Sequence, residues 1–362
     1  MRVLVLNAGS SSVKYQLIES SDGHRVAGGI VEEVTDHAIA LDSVVQQLGD
    51  ATVDAVGHRV VHGGESFTAA TLVDDEMLTT LRGLVPLAPL HNPANIAGIE
   101  AACRVWPEVP QVAVFDTAFH RTLPAHAYRY AVPTDWYERH GVRRYGFHGT
   151  SHEFVANEAA HRLGRPLDEL DLIVAHLGNG ASITAVQRGR SIDTSMGMSP
   201  LEGLVMGTRS GDIDPAVIAH VAEATGRPFD HVLTDLNRKS GLAGLCGVSD
   251  MREVTNLAVS GDTDAALALD VFCYRVKKYV GAYLAVLGRC DALVFTGGIG
   301  EHSAVVRGTT VDGLAGLGIV IDAERNGRDA DVVSADHSPI AVLVVPTDEE
   351  RVIAEQTAAL VG

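Results

Sequence analysis

Apolar runs of strand length recur along the chain at Val3-Leu4-Val5-Leu6, Val112-Ala113-Val114-Phe115, Leu172-Ile173-Val174-Ala175, Leu293-Val294-Phe295 and Ala341-Val342-Leu343-Val344-Val345. Gly, Pro or Asp flanks each run and helix-like stretches separate several of them, which predicts an α/β or α+β fold. Two runs lead into similar polar turns. Residues 3–6 reach Asn7-Ala8-Gly9-Ser10-Ser11-Ser12 and return as a second strand over 13–18. Residues 172–175 reach His176-Leu177-Gly178-Asn179-Gly180-Ala181-Ser182 and return over 183–186. This internal duplication suggests two related domains, each offering a phosphate-facing hairpin to a shared cleft. The prolines at 107, 110, 124 and 133 favour a boundary near residue 118. At the far end, Thr347-Asp348-Glu349-Glu350 has the Thr-x-x-Glu spacing of a capping box, which predicts a closing helix over 351–360 and leaves Glu349 uncommitted.

The turns carry the candidate chemistry. In the first, Gly9 can take positive φ and turn amides inward, the serines add hydroxyl donors, and Lys14 supplies a point charge, a combination suited to phosphate. A polar hairpin tip explains the same residues. The second turn, with Gly178, Asn179 and Gly180, reads equally as a phosphate loop with Asn179 in the left-handed region or as a plain Asn-Gly hairpin. A third, Thr296-Gly297-Gly298-Ile299-Gly300-Glu301, follows a strand and opens a helix, where bare backbone amides receive anions.

Arg59, within Gly57-His58-Arg59-Val60-Val61-His62-Gly63-Gly64, and Arg209, within Met206-Gly207-Thr208-Arg209-Ser210-Gly211-Asp212, each stand among glycines and apolar residues. A guanidinium so placed needs either a bound anion or an internal carboxylate. Asp116 follows its strand at the position where open sheets collect functional groups, or else caps the next turn. The pairs His58/His62 and His148/His152 have i, i+4 spacing without the H-E-x-x-H form of a metalloprotease.

Composition narrows the partners. The chain has 362 residues, 46% of them hydrophobic and 20% charged, the profile of a globular protein long enough for two domains. A formal net charge of -18 excludes a nucleic-acid footprint, and no apolar run approaches a membrane span. Cys103, Cys246, Cys273 and Cys290 lack C-x-x-C spacing, so reduced thiols in a cytoplasm are expected. Three glycine loops, two isolated arginines and a lysine beside the first loop fit an ATP-dependent phosphotransferase, in which neutralising phosphoryl charge is the main catalytic task.

Taken together with Arg144-Tyr145-Gly146-Phe147-His148-Gly149-Thr150-Ser151-His152 and Asp193-Thr194-Ser195-Met196-Gly197, these segments resemble the signature segments of the acetate kinase family, in the family's order and across nearly the whole chain. The resemblance implies two duplicated actin-like (ribonuclease H-like) α/β domains around a nucleotide cleft, in a cytoplasmic homodimer. The first domain would comprise 1–118 plus 350–362, and the second 119–349. It implies reversible transfer of a phosphoryl group from ATP to acetate with Mg2+, or Mn2+ in its place, and a propionate or other short-chain acyl kinase as the alternative. Asn7 and Glu349 would be the metal-site residues. Lys14, His176, Leu177, Gly178, Asn179 and Gly180 would contact phosphates. Asp250, Met251, Arg252, Gly298, Ile299, Gly300, Glu301 and His302 would lie by the nucleoside. Arg59, Asp116, His148 and Arg209 would be catalytic, with Arg59 also on the substrate. Val61, Leu90, Phe147 and Pro200 would surround its methyl group. Two departures stand out: His302 where the family usually has Asn, and Asp348 where it often has Asn.

Overall fold

The computed structural model describes residues 1–9, 11–34 and 36–362. Ser10, one of the hydroxyls expected in the first turn, lies outside them. The chain packs as two compact units, one of Met1–Arg121, Phe147–Phe154 and Asp348–Gly362, the other of Thr122–Gly146 and Val155–Thr347. Residues 119–121, 147–154 and 348–349, assigned from the sequence to the second domain, pack with the first unit.

In the first unit the strands β1 (Arg2–Ala8), β2 (Ser12–Glu19), β3 (His24–Glu32), β4 (Ala55–Val60), β5 (Thr71–Leu72) and β6 (Gln111–Phe115) form a sheet in the order β3-β2-β1-β4-β6-β5. β1 is antiparallel to β2 and parallel to β4, and β4 is parallel to β6. Residues 3–6 of β1 are all apolar because both faces of the strand are covered there. Leu4 and Leu6 pack with Leu41 and Val44 of the helix His37–Leu48, while Val3 and Val5 pack with Ile353 and Ala354 of the helix Glu349–Val361.

The second unit repeats the pattern. β7 (Asp171–Leu177), β8 (Ala181–Gln187), β9 (Arg190–Thr194), β10 (Ala292–Thr296) and β11 (Ala341–Val344) take the order β11-β10-β7-β8-β9. β7 is antiparallel to β8 and parallel to β10, as β1 is to β2 and β4. Even the irregularities correspond, with register shifts at Leu17/Ile18 and at Ala185/Val186. The duplicated actin-like arrangement is therefore present in strand order, direction and register. The helix Thr263–Leu287 packs against this sheet and neighbouring helices, burying Ala265, Ala268, Phe272, Val276, Val280, Tyr283 and Leu287, a stripe at helical period.

The closing helix spans Glu349–Val361, and its cap corrects the capping-box assignment. Asp348, not Thr347, is the N-cap, its Oδ1 accepting from the Arg351 amide at 3.0 Å. Asp and Asn both serve there, so the departure at 348 leaves the helix start intact. No described helix is long and apolar enough to cross a membrane.

Candidate active site

In the first unit the polar residues sit where parallel strands end. β4 turns out of its apolar run into His58 and Arg59, and β6 ends at Phe115, which puts Asp116 beside Arg59. The Arg59 guanidinium donates through Nε and Nη2 to the two Asp116 oxygens at 2.9 and 2.8 Å. Its Nη1 lies 3.3 Å from Glu349 Oε2. An internal carboxylate thus accounts for this arginine, and Asp116 orients it. Burial opposes the charge on Arg59, but Asp116 and Glu349 outweigh it and hold the guanidinium protonated above its usual range.

Glu349 is correspondingly not uncommitted. Burial pushes its carboxyl above the usual carboxylate range against the pull of Arg59, and its Oε1 is buried with no hydrogen-bond partner. Asn7 and Lys14, which face each other across β1 and β2, line a cavity of about 310 Å³ together with Glu350. Gly9 does not adopt positive φ, contrary to expectation; its amide closes the turn by donating to Ser12 O at 2.8 Å.

Asp116 also works through its main chain. Its carbonyl accepts from the Gly149 amide at 2.9 Å, and a Cβ at position 149 would lie 2.2 Å from that oxygen. Glycine is required there by close approach. It fixes the start of the helix Gly149–Leu163, immediately after His148, whose φ of 56° is in the left-handed region. Such a conformation costs a non-glycine residue on the order of 1 kcal/mol or more, and the surrounding contacts must hold it. Phe147 is buried, its ring edge-on to His62 at 5.4 Å. Val61 is half-buried, and its amide donates to Asn95 Oδ1 at 3.1 Å. Leu90 is exposed. The His58/His62 pair shares no helix face: His58 lies on β4 bonded to Gln111 Oε1 at 2.8 Å, and His62 Nδ1 accepts from the Gly64 amide.

In the second unit the β7–β8 turn meets the loop of Arg209. The Gly207 amide donates to Asn179 O at 3.1 Å, and a Cβ on Gly207 would lie 2.2 Å from Asn179 Oδ1, so a side chain there would displace the Asn179 amide. Asn179 is not left-handed as expected; this contact, rather than a special φ, shapes the turn. The Arg209 guanidinium reaches only Pro200 O at 3.4 Å and Met206 Sδ at 3.7 Å. No carboxylate pairs with it among the described residues, and burial lowers its pKa from the usual value. Arg209 is the reverse of Arg59, a partly buried cation without a counter-charge.

Residues by the third glycine loop are partly committed already. The helix Gly297–His302 follows β10, and Glu301 Oε1 accepts from the Gly297 amide at 2.9 Å and from Thr347 at 3.2 Å. Gly298 and His302 are exposed, Ile299 is half-buried and Gly300 is buried. Asp250 caps the helix Met251–Val259, and Arg252 folds back onto that cap at 2.5 Å. Leu177 and Met251 are buried, so their side chains belong to the core and only their backbones remain available to a ligand.

These arrangements can be set against known proteins. The model of the acetokinase family matches residues 33–355. The chain belongs to the acetokinase family. Over its whole length it is 52% identical to an acetate kinase of Streptomyces avermitilis, covering 98% of that protein. An acetate kinase structure from Porphyromonas gingivalis superposes with a TM-score of 0.95 at 43% identity, each chain covered completely. A propionate kinase structure from Francisella tularensis gives 0.94 at 42% identity, with 99% of each chain covered.

Several residues that brace the segments carrying these candidates escape sequence reasoning. Arg144 Nη1 donates to Thr194 O, Ser195 O and Met196 O at 2.9, 3.0 and 3.0 Å, and its Nη2 to Glu202 Oε1 at 2.6 Å. Tyr130 donates to the other Glu202 oxygen and accepts from the Met198 amide. Together they brace the loop that carries Pro200. Asn92 ties the chain after β4 by donating to His62 O at 3.0 Å, and Asn95 ties the end of β1 by donating to Ala8 O at 2.8 Å. The only sequence signal is an amide side chain on an otherwise apolar helix face, and its partners are distant in the chain.

Proposed function

We propose that this protein is an acetate kinase, catalysing reversible transfer of the γ-phosphoryl group of ATP to acetate with formation of acetyl phosphate and ADP. The full-length 52% identity to an acetate kinase carries the reading, and the unpaired Arg209 gives it a chemical basis. A carboxylate is already a nucleophile, so in-line transfer needs positioning and charge neutralisation rather than an activated base. Arg209 supplies positive charge to the phosphoryl group in transfer, and relief of its own isolation adds to binding. Arg59, aimed by Asp116, holds acyl phosphate oxygens. His148 donates to the transferring phosphoryl group. Val61, Leu90, Phe147 and Pro200 are assigned to the methyl group of the substrate. Lys14 and the backbone of residues 176–180 take the phosphates, and residues 250–252 and 298–302 the nucleoside.

The donor set at Glu349 fits a divalent cation: a buried oxygen with no partner, on the helix whose next residue, Glu350, lines one cavity with Asn7 of β1. Mg2+ requires oxygen ligands and takes few of them from protein, and Mn2+ is served by the same atoms. Glu349 and Asn7 would hold it, and bound there it would offset charge on the nucleotide phosphates. A cytoplasmic homodimer completes the proposal. The exposed Val217, Phe229 and Leu233 of the paired helices Ala216–Thr225 and Phe229–Arg238 support a second copy as the partner, to be checked by sedimentation.

Propionate is the second reading, favoured by the similarity to a propionate kinase. One methylene of pocket space separates the two by only about 1–3 kcal/mol. Hydroxylamine trapping with Mg-ATP and acetate, propionate or butyrate decides: the highest kcat/KM with acetate is expected, a propionate preference moves the assignment, and no hydroxamate from any acid removes it.

A further inference from the structure

We propose that His120 is a positioning residue for the phosphoryl-transfer step, acting through the backbone of His148; the inference rests on the role assigned above to His148. The left-handed φ of 56° at His148 is held from both sides by one short stretch of chain. On the C-terminal side the Gly149 amide donates to Asp116 O at 2.9 Å, with no room for a side chain. On the N-terminal side His120 Nε2–H donates to Phe147 O at 3.0 Å, and both groups are buried. The His120 ring is itself fixed, its centroid 5.6 Å from that of His152 in an edge-on contact, and the His152 amide donates to His148 O at 3.0 Å.

His120 thus grips the peptide preceding the strained residue through its side chain, while Asp116, four positions earlier, grips the peptide that follows it through its carbonyl. Asp116 also aims Arg59 through its carboxylate. The 116–120 segment therefore sets the imidazole of His148 and the guanidinium of Arg59 from a single rigid turn. Removal of the His120 donor frees the Phe147 carbonyl and lets His148 relax toward an unstrained φ, which moves its ring. A catalytic group displaced by about 1 Å loses up to a hundredfold in rate.

The test exploits geometry. Gln carries an N–H close to the Nε2 position of His, whereas the shorter Asn does not reach it. H120N should lower kcat for acetyl phosphate formation about tenfold or more with little change in KM for ATP, and H120Q should stay within about threefold of the native enzyme. The same pair is then made in H148A. There H120N should change kcat by less than about twofold, because the group it positions is gone. Equal kcat for H120N and H120Q, or an undiminished H120N loss in the H148A background, overturns the inference. Native kcat in H148A alone would instead overturn the role of His148. Should H120N not fold, H120M, with the reach of Gln and no N–H, replaces it against the same H120Q.

Discussion

The two arginines of the site predict opposite effects on stability from the same substitution. Arg59→Met removes the partner of Asp116, whose side chain is only 2% exposed, together with two hydrogen bonds of 2.9 and 2.8 Å. A buried carboxylate stripped of its cation costs about 3–5 kcal/mol. For a unit of this size that is a fall in Tm of about 6–20 °C. Arg209→Met removes a cation whose nearest acceptors are 3.4 and 3.7 Å away and whose burial no carboxylate offsets. Relief of that desolvation should stabilise the ligand-free protein by about 1–2 kcal/mol, or raise Tm by about 2–8 °C. Both variants should lose about 10³–10⁵-fold in kcat/KM, the scale seen when a phosphoryl-clamping arginine is removed. Thermal unfolding without nucleotide, alongside hydroxamate kinetics, reads both effects. A lowered Tm for R209M comparable to that of R59M, or turnover within tenfold of native, would refute the reasoning that Arg209 is held unpaired for a bound anion.

Three further outcomes follow from individual contacts. Gly149→Ala places a Cβ 2.2 Å from Asp116 O, so it should cost about 1–3 kcal/mol in denaturant unfolding and lower kcat by shifting His148. Burial depresses the His58 imidazole to about 4. The unfolded chain therefore takes up a proton at His58 near pH 6.5 while the folded chain does not, and stability falls as pH drops from about 6.5 to about 4, by roughly 3 kcal/mol at most. Above pH 6.5 the residue contributes no slope, and in His58→Gln, which can still meet Gln111, the difference curve against native protein should show this window and no other. Asp348→Ala should lose about 1 kcal/mol with the helix cap, while Asp348→Asn should fall within a few tenths of native by thermal melting.

The strands buried on both faces were legible because their apolar runs are continuous: each end of β1, β6, β7, β10 and β11 lies within two residues of its predicted bound. β4 was not, since His58 and Arg59 interrupt its pattern. The edge strand β3 alternates too weakly to read. The glycine loops and lone arginines stand out one by one in the sequence, but their partners are not written locally. Arg59 meets Asp116 across 57 residues and Arg144 meets Glu202 across 58, separations that leave no periodic trace. The return of residues 147–154 to the first unit is of the same kind, fixed by the close approach of Gly149 to Asp116 rather than by any local signal.

Isotope tracing tests direct attack of the acetate carboxylate on the γ-phosphorus. With acetate labelled by 18O at both carboxyl oxygens, Mg-ATP and hydroxylamine, the trapped acyl phosphate releases phosphate as hydroxylamine attacks the carbonyl carbon. Direct transfer predicts inorganic phosphate carrying one 18O, the former bridging atom. Label in AMP would indicate an acyl adenylate, and unlabelled phosphate would indicate hydrolysis by water; either would contradict the account.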